Sequence, residues 1–372
     1  MLRGATPGVR AALAATQMFL VDRAVLPPRA PYVQNISTGS AMIAWVSDEP
    51  GRGVVEYGEG PDLGRVVTEE LVSRRHAVML RGLNPGSTYH YRVDGGAPGR
   101  FRTAPESGAA FAFAVIGDSG NGGKHQMAVA GLLGRIKPDL ILHTGDVVYP
   151  SGEDRHYDKR FFAPYRGLIG EIPLFPVLGN HDVQKDDGAA FLKNFHPPRN
   201  NPQGTARYYS FDWGDAHFVA LNSELYHEDA GGDREEQRLW LEEDLSTTRK
   251  PWRFAFLHRP LYSSSRHGGD EEIRADLAPV FSRHGVHVVF SGHDHAYERT
   301  LPVGGVTYVV TGGGGKHLYK ARKRWWTAAS ASAHHATLVR VTGKHLTLEA
   351  VKPDGAVLDR LDLRADMGVS RA

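Results

Sequence analysis

The stretch Ser291-Gly292-His293-Asp294-His295 decides the reading of this chain. It follows an apolar run, Val286 to Phe290, that has the length and composition of a buried strand. A strand that ends in Ser-Gly and then His-x-His presents two imidazoles from one sharply turning loop. In extended backbone, residues i and i+2 face the same way. Neutral imidazole is the commonest nitrogen ligand for zinc and iron. Alone, a His-x-His pair is more often surface or packing histidine. It gains weight here because four upstream segments have the same form.

Those segments run in chain order. Phe111–Ile116 leads into Gly117-Asp118-Ser119-Gly120, and Leu140–Thr144 into Gly145-Asp146-Val147-Val148-Tyr149. Leu174–Leu178 leads into Gly179-Asn180-His181-Asp182, and Phe254–Leu257 into His258. Each is a short apolar run with a carboxylate, amide or imidazole at its tip. Ligands of open α/β folds bind at the carboxyl ends of the strands. If the five tips converge, they bring together Asp118, Asp146, Tyr149, Asn180, His258, His293 and His295, a mixed oxygen and nitrogen set. That is too many ligands for one zinc with an open position. It suits two metals about 3.5–4 Å apart that share a carboxylate. Each residue also has an ordinary reading: Asp118 or Asp146 as a cap, Tyr149 as a wall aromatic, Asn180-His181 as turn chemistry. Those readings would have to coincide five times in one order.

The chain has 372 residues, 41% apolar and 23% charged, ordinary for a soluble globular protein of one large domain or two. A net charge of +2 supplies no global basic field, so nucleic acid is not an expected partner. The absence of cysteine excludes disulfides, thiolate metal sites and a cysteine nucleophile. No run of 18 apolar residues predicts a membrane-spanning helix. Residues 1–24 are ambiguous. Arg3 and Arg10 precede the mildly apolar Ala11–Leu20, which fits either a weak secretory signal or an amphipathic lead helix. A secreted or periplasmic location is slightly favoured over a cytoplasmic one. Nothing in the sequence fixes the oligomeric state.

Residues 25–104 read as all-β. Tyr89, Tyr91 and Val93 alternate onto one face, and turn signals recur at Glu49-Pro50-Gly51, Asn84-Pro85-Gly86 and Gly95-Gly96. The segment resembles a fibronectin type III-like module, notably in Leu83-Asn84-Pro85-Gly86-Ser87-Thr88-Tyr89-His90-Tyr91. Ala104–Gly108 is the expected linker. From residue 109 to 364, strands alternate with helices. Helices are expected over Gln126–Ile136, over Arg234–Leu245 with Leu239, Leu241 and Leu245 inward, and over Glu272–His284. Gly312–Gly315 is expected to be a flexible loop; it lacks nucleotide-binding spacing.

The set Gly117-Asp118-x-Gly120, Gly145-Asp146-x-x-Tyr149, Gly179-Asn180-His181-Asp182, His258 and Gly292-His293-x-His295 resembles the metallophosphoesterase (calcineurin-like) superfamily. Tyr149 and the β-sandwich in front make the chain similar to the purple acid phosphatases. Ala255 stands where that family usually has valine, at a packing position. The resemblance implies an α/β (α+β) four-layer sandwich of two mixed β-sheets flanked by helices, preceded by the all-β module. It implies Asp118, Tyr149 and His295 on a first metal, Fe(III), with Asp146 bridging. It implies Asn180, His258 and His293 on a second metal: a divalent Fe, Zn or Mn. It implies His181, and less directly His267, in contact with substrate.

The implied activity is hydrolysis of a small-molecule phosphate monoester, acid phosphatase type, in which a metal-bound hydroxide attacks phosphorus in line. A phosphodiesterase or alkaline-type phosphatase on the same scaffold would differ in the rim stretches Ser151–Arg166, Gln184–Gly204 and Ser263–Asp270. A binding or adhesion protein without catalysis is the reading of another class. The complete set of ligand types and His181 speak against it.

Overall fold

The computed structural model describes residues 27–227 and 231–365. Residues 1–24, for which the sequence leaves a signal or a lead helix open, lie outside the described residues.

The N-terminal part is all-β. One sheet orders Arg29–Gln34, Ser40–Gly51 and Ser73–Arg81; the other orders Arg65–Thr68, Val54–Gly58, Thr88–Val93 and Gly99–Arg102. The alternation in Thr88–Val93 does what period two dictates. Tyr89, Tyr91 and Val93 are all buried, and Tyr89 stacks on Phe101 at 5.8 Å.

Two mixed sheets follow. The first orders Leu174–Pro176, Leu140–His143, Phe111–Ile116, Ala336–Thr342, His345–Val351 and Val357–Arg364, with the first three strands parallel. The second orders Tyr209–Trp213, Ala216–Ala220, Trp252–Phe256, Val288–Ser291, Thr307–Thr311, Tyr297–Thr300 and Thr327–Ala331; its strands from Ala216–Ala220 to Thr307–Thr311 are parallel. The sheets meet face to face over aromatic rings. Phe113 contacts Phe218 and Phe254 at 5.2 Å and Phe290 at 5.9 Å, tilted edge to face, the arrangement ring quadrupoles prefer. These central strands are buried on both faces, which is why they read as unbroken apolar runs.

Helices cover the outer faces. Lys124–Ile136 turns Val129, Leu132 and Leu133 inward, and Glu271–Arg283 turns in Ile273, Leu277 and Phe281. In Gly231–Thr247 the buried stripe is Trp240, Leu241 and Leu245, and Leu239 is 55% exposed. The expectation for Leu239 fails on helical phase: residues two apart lie on opposite sides, whereas i, i+3 and i+4 share one.

The all-β part is fastened to the rest through polar contacts. Buried Arg29 donates to Asp158 at 2.8 Å and to Asn194 at 2.6 Å, and its guanidinium lies 3.5 Å from the Phe162 ring centroid. Arg75 donates to Asp154 at 2.7 Å, and Tyr91 to the Gly170 carbonyl at 2.8 Å. This changes the reading of Ser151–Arg166. Most of it is helical, over Asp154–Tyr157, Asp158–Phe162 and Ala163–Ile169, and it supplies Asp154, Asp158 and Phe162 to the contacts with the β part.

Candidate metal centre

Each parallel strand ends beside the others at its carboxyl end. Phe111–Ile116, Leu140–His143 and Leu174–Pro176 deliver Asp118, Asp146 and Asn180 from one sheet. Trp252–Phe256 and Val288–Ser291 deliver His258 and His293 from the other. Asp118, Asp146 and His293 all have positive φ, of 56°, 53° and 66°. Such backbone is costly for residues with a side chain and clusters at functional sites. The glycines beside them are set by close approach. A Cβ on Gly292 would stand 2.5 Å from Asp118 Oδ2, and one on Gly179 2.4 Å from Asp146 Oδ1.

The predicted ligand residues meet in one place, in two groups. Tyr149 Oη lies 3.3 Å from Asp118 Oδ1 and 3.2 Å from His295 Nε2, and those two atoms are 3.5 Å apart. Asn180 Oδ1 lies 3.1 Å from His258 Nε2 and 3.0 Å from His293 Nδ1. Asp146 joins the groups. Its Oδ1 is 3.4 Å from His258 Nε2, and ligand atoms of Asp118, Asp146 and His258 all lie within 4.8 Å of one another.

Protonation follows from burial. Burial pushes Asp118 well above the usual carboxylate range, and the neighbouring charge of Asp146 adds to it. Burial raises Tyr149 as well, with both aspartates adding. The imidazoles go the other way: burial lowers His258, takes His293 down to about 2 and His295 to about 4. Neutral imidazoles are ready to coordinate. Crowded carboxylates and a phenol that repel one another when ionised are the donor set a cluster of cations would compensate.

The free nitrogens are aimed by their partners. His258 Nδ1 donates to the Thr144 carbonyl at 2.8 Å and His295 Nδ1 to the His317 carbonyl at 2.8 Å, turning Nε2 of each into the site. His181 sits at the mouth. Its backbone N–H donates to Asp146 Oδ1 at 2.9 Å, its Nδ1 faces the Pro150 carbonyl, and its Nε2 is 3.9 Å from Asp146 Oδ2. His267 is exposed, its ring 4.4 Å from that of His293.

Several supporting residues escape sequence reasoning. Asp182 accepts from the backbone N–H of Val147, Val148 and Gly179. Asp294, between the two histidines, accepts from the Ser263 hydroxyl and the His267 backbone N–H. Asp182 closes the Gly179-Asn180-His181-Asp182 turn and Asp294 lies between His293 and His295, and that adjacency is the sole signal the sequence carries for them. Gly312–Gly315 is buried rather than a free loop. A Cβ on Gly314 would fall 2.3 Å from the Gly117 carbonyl, so this turn forms the floor under Asp118. Lys316 follows it, with Nζ 4.0 Å from the Tyr149 ring centroid.

Residues 111–297 match the calcineurin-like phosphoesterase family model, half of the chain, and the chain belongs to that family. Within it, the chain is a purple acid phosphatase-like member, a metal-dependent hydrolase of phosphoric monoesters whose family is built on a dinuclear metal centre. It is 28% identical over 389 residues to mouse acid phosphatase type 7, covering 86% of this chain and 87% of that protein. It is 28% identical over 340 residues to purple acid phosphatase 18 of Arabidopsis thaliana, covering 82% and 76%. Purple acid phosphatase PPD1 from yellow lupin seeds has the same fold, with a TM-score of 0.76 at 20% identity, over 91% of this chain and 75% of that one. Among the described residues no helix is long and apolar enough to cross a membrane.

Proposed function

We propose that Asp118, Tyr149 and His295 hold one metal ion, that Asn180, His258 and His293 hold a second, and that Asp146 bridges them. The observation that carries this is the grouping around Asp146: a phenol, carboxylate and imidazole on one side, an amide and two imidazoles on the other. The donor chemistry sorts the metals. The phenol and carboxylate of the first group suit a hard trivalent ion, Fe(III). The neutral donors of the second suit a divalent Fe, Zn or Mn. When bound, the pair supplies Lewis acidity toward a phosphoryl oxygen and an acidified water as nucleophile.

The chain's own residues do the rest. His181 donates from Nδ1 to the Pro150 carbonyl, which leaves Nε2 facing the site mouth. It is half-buried and open to the water side, and as the imidazolium, with a second proton on Nε2, it is placed to stabilise the phosphoryl group or to give that Nε2 proton to the leaving alkoxide. His267, held by Asp294, is placed to contact the ester beyond the scissile phosphate. The N-terminal unit 25–104 and the unit 109–364 act as a support and a catalytic body joined at Ala104–Gly108.

The test uses leaving groups of different acidity. His181→Ala is expected to lower kcat for an alkyl phosphate by about 10²–10⁴-fold and to affect an aryl phosphate much less. Equal losses on both substrates, or no loss, would contradict the proton-donor role.

A further inference from the structure

The N-terminal all-β part has one open strand edge. Arg65–Thr68 is the last strand of its sheet and, among the described residues, pairs with Val54–Gly58 alone. Hydrogen-bond phase decides which of its groups face out. The Glu69 N–H donates to the Gly53 carbonyl at 2.9 Å. The Val54 carbonyl, opposite Thr68, turns away and accepts from the Asp94 N–H at 3.0 Å. Bonded and unbonded positions alternate along an antiparallel pair. Arg65, Val67 and Glu69 therefore bond inward, and Val66 and Thr68 present N–H and C=O at the open edge.

Open edges are usually guarded by charge, proline or a bulge. The Val357–Arg364 edge carries Asp359, Arg360, Asp362 and Arg364. The Gly99–Arg102 edge carries Arg100 and Arg102, paired with Glu171 and Asp139. The residues that bond outward here are instead valine and threonine, both good strand formers. Val66, Leu71 and Val72 are each more than half exposed, three of eight large apolar side chains in that state among the described residues. The other five stand singly along the sequence, so the apolar exposure concentrates at this edge. The strand's end is also anchored. Glu69 accepts from the Ala77 N–H at 3.2 Å and lies 2.6 Å from His76 Nδ1, which ties it to the other sheet. An edge held in this way needs little ordering to pair.

We propose that this edge pairs with the same edge of a second copy of the chain, antiparallel across a two-fold axis at Val67. In that register Val66 of each copy stands opposite Thr68 of the other, and the outward N–H and C=O of both residues are satisfied. Charge selects the direction. The strand begins at Arg65 and runs into Glu69-Glu70, so antiparallel pairing sets each Arg65 beside the acidic end of the other copy. Parallel pairing sets like charges together. The pairing is independent of the metal centre.

Sedimentation over a concentration series up to about 100 μM, where even a small interface of modest affinity fills, tests the pairing. The wild type is expected to approach twice the chain mass. Val66→Lys puts a charge on the exposed edge, and Thr68→Pro removes an N–H that the pairing with Val54–Gly58 does not use. Each is expected to raise the dimer Kd about tenfold or more while the circular dichroism spectrum is retained. A monomeric wild type, or a dimer that Val66→Lys leaves intact, overturns the proposal. The register has a separate reading. The chain has no cysteine, so Val67→Cys carries one thiol per copy. On the axis the two Cα atoms stand about 4.5 Å apart, within disulfide range. Oxidised glutathione is expected to convert most of Val67→Cys to a covalent dimer and to leave Val66→Cys, which faces Thr68, unlinked. The reverse pattern, or no link in either variant, overturns the proposal.

Discussion

The Asp182 carboxylate grips the Val147 amide with both oxygens, at 3.0 and 3.1 Å. It also accepts from Gly179 N–H at 3.0 Å. One buried side chain thus ties the loop carrying Asp146 to the turn carrying Asn180. Asp182→Ala would strand buried amide donors, at about 1–3 kcal/mol each. Partners of this kind typically alter metal affinity by about 10–100-fold. Metal per chain after dialysis against a chelator is expected to drop in Asp182→Ala while the circular dichroism spectrum is retained. Unchanged metal retention would contradict the fastening role.

The floor under Asp118 makes a second demand. A methyl group on Gly314 has no room against the Gly117 carbonyl. Gly314→Ala is expected to destabilise by about 1–3 kcal/mol, the usual cost of overpacking, and to lower metal occupancy as well. Thermal melting with and without added metal checks both effects. A Tm equal to wild type would contradict the close packing.

These features mark where the sequence stops being legible. Strand-then-loop periods expose Asp118, Asp146 and His293 because a buried parallel strand is an apolar run and its tip is polar. Asp182 and Asp294 have the same composition as ligands, and no period says which carboxylate takes amides instead. Gly312–Gly315 looks flexible by composition, yet glycine there marks crowding. Leu239 misleads because a leucine in a charged helix reads as core unless its phase is counted. The role of Ser151–Arg166 in joining the two parts depends on contacts with Arg29 and Arg75, more than a hundred positions away for Arg29 and Asp158.

The join itself is testable at Arg29. Its charge is buried against Asp158 and Asn194. Removing one partner of a buried pair costs about 3–5 kcal/mol. Arg29→Ala is expected to lower Tm by several degrees and to expose the 104–108 linker to proteolysis. An unaltered melting curve would show that the polar join adds nothing to stability.

His217 supplies a pH signature outside the metal site. Burial opposes its charge, but Asp212 at 2.8 Å and Asp244 at 2.7 Å prevail and raise it to about 9. A folded value above the unfolded one, about 6.5, means stabilisation that is complete below pH 6.5 and disappears as pH climbs through 9. Asp212 is half exposed, which trims the effect to roughly 2–3 kcal/mol. The Tm gap between wild type and His217→Gln should therefore be widest near pH 6 and close by pH 10. A gap constant across that range would contradict the charged pairing.

The dinuclear assignment is tested most directly by metal content per chain in purified protein and in Tyr149→Phe. The wild type is expected to carry two metal ions, one of them iron, with a visible charge-transfer band that Tyr149→Phe abolishes. No metal in the wild type, with none taken up from Fe, Zn or Mn solutions, or a band that survives in Tyr149→Phe, would contradict the assignment.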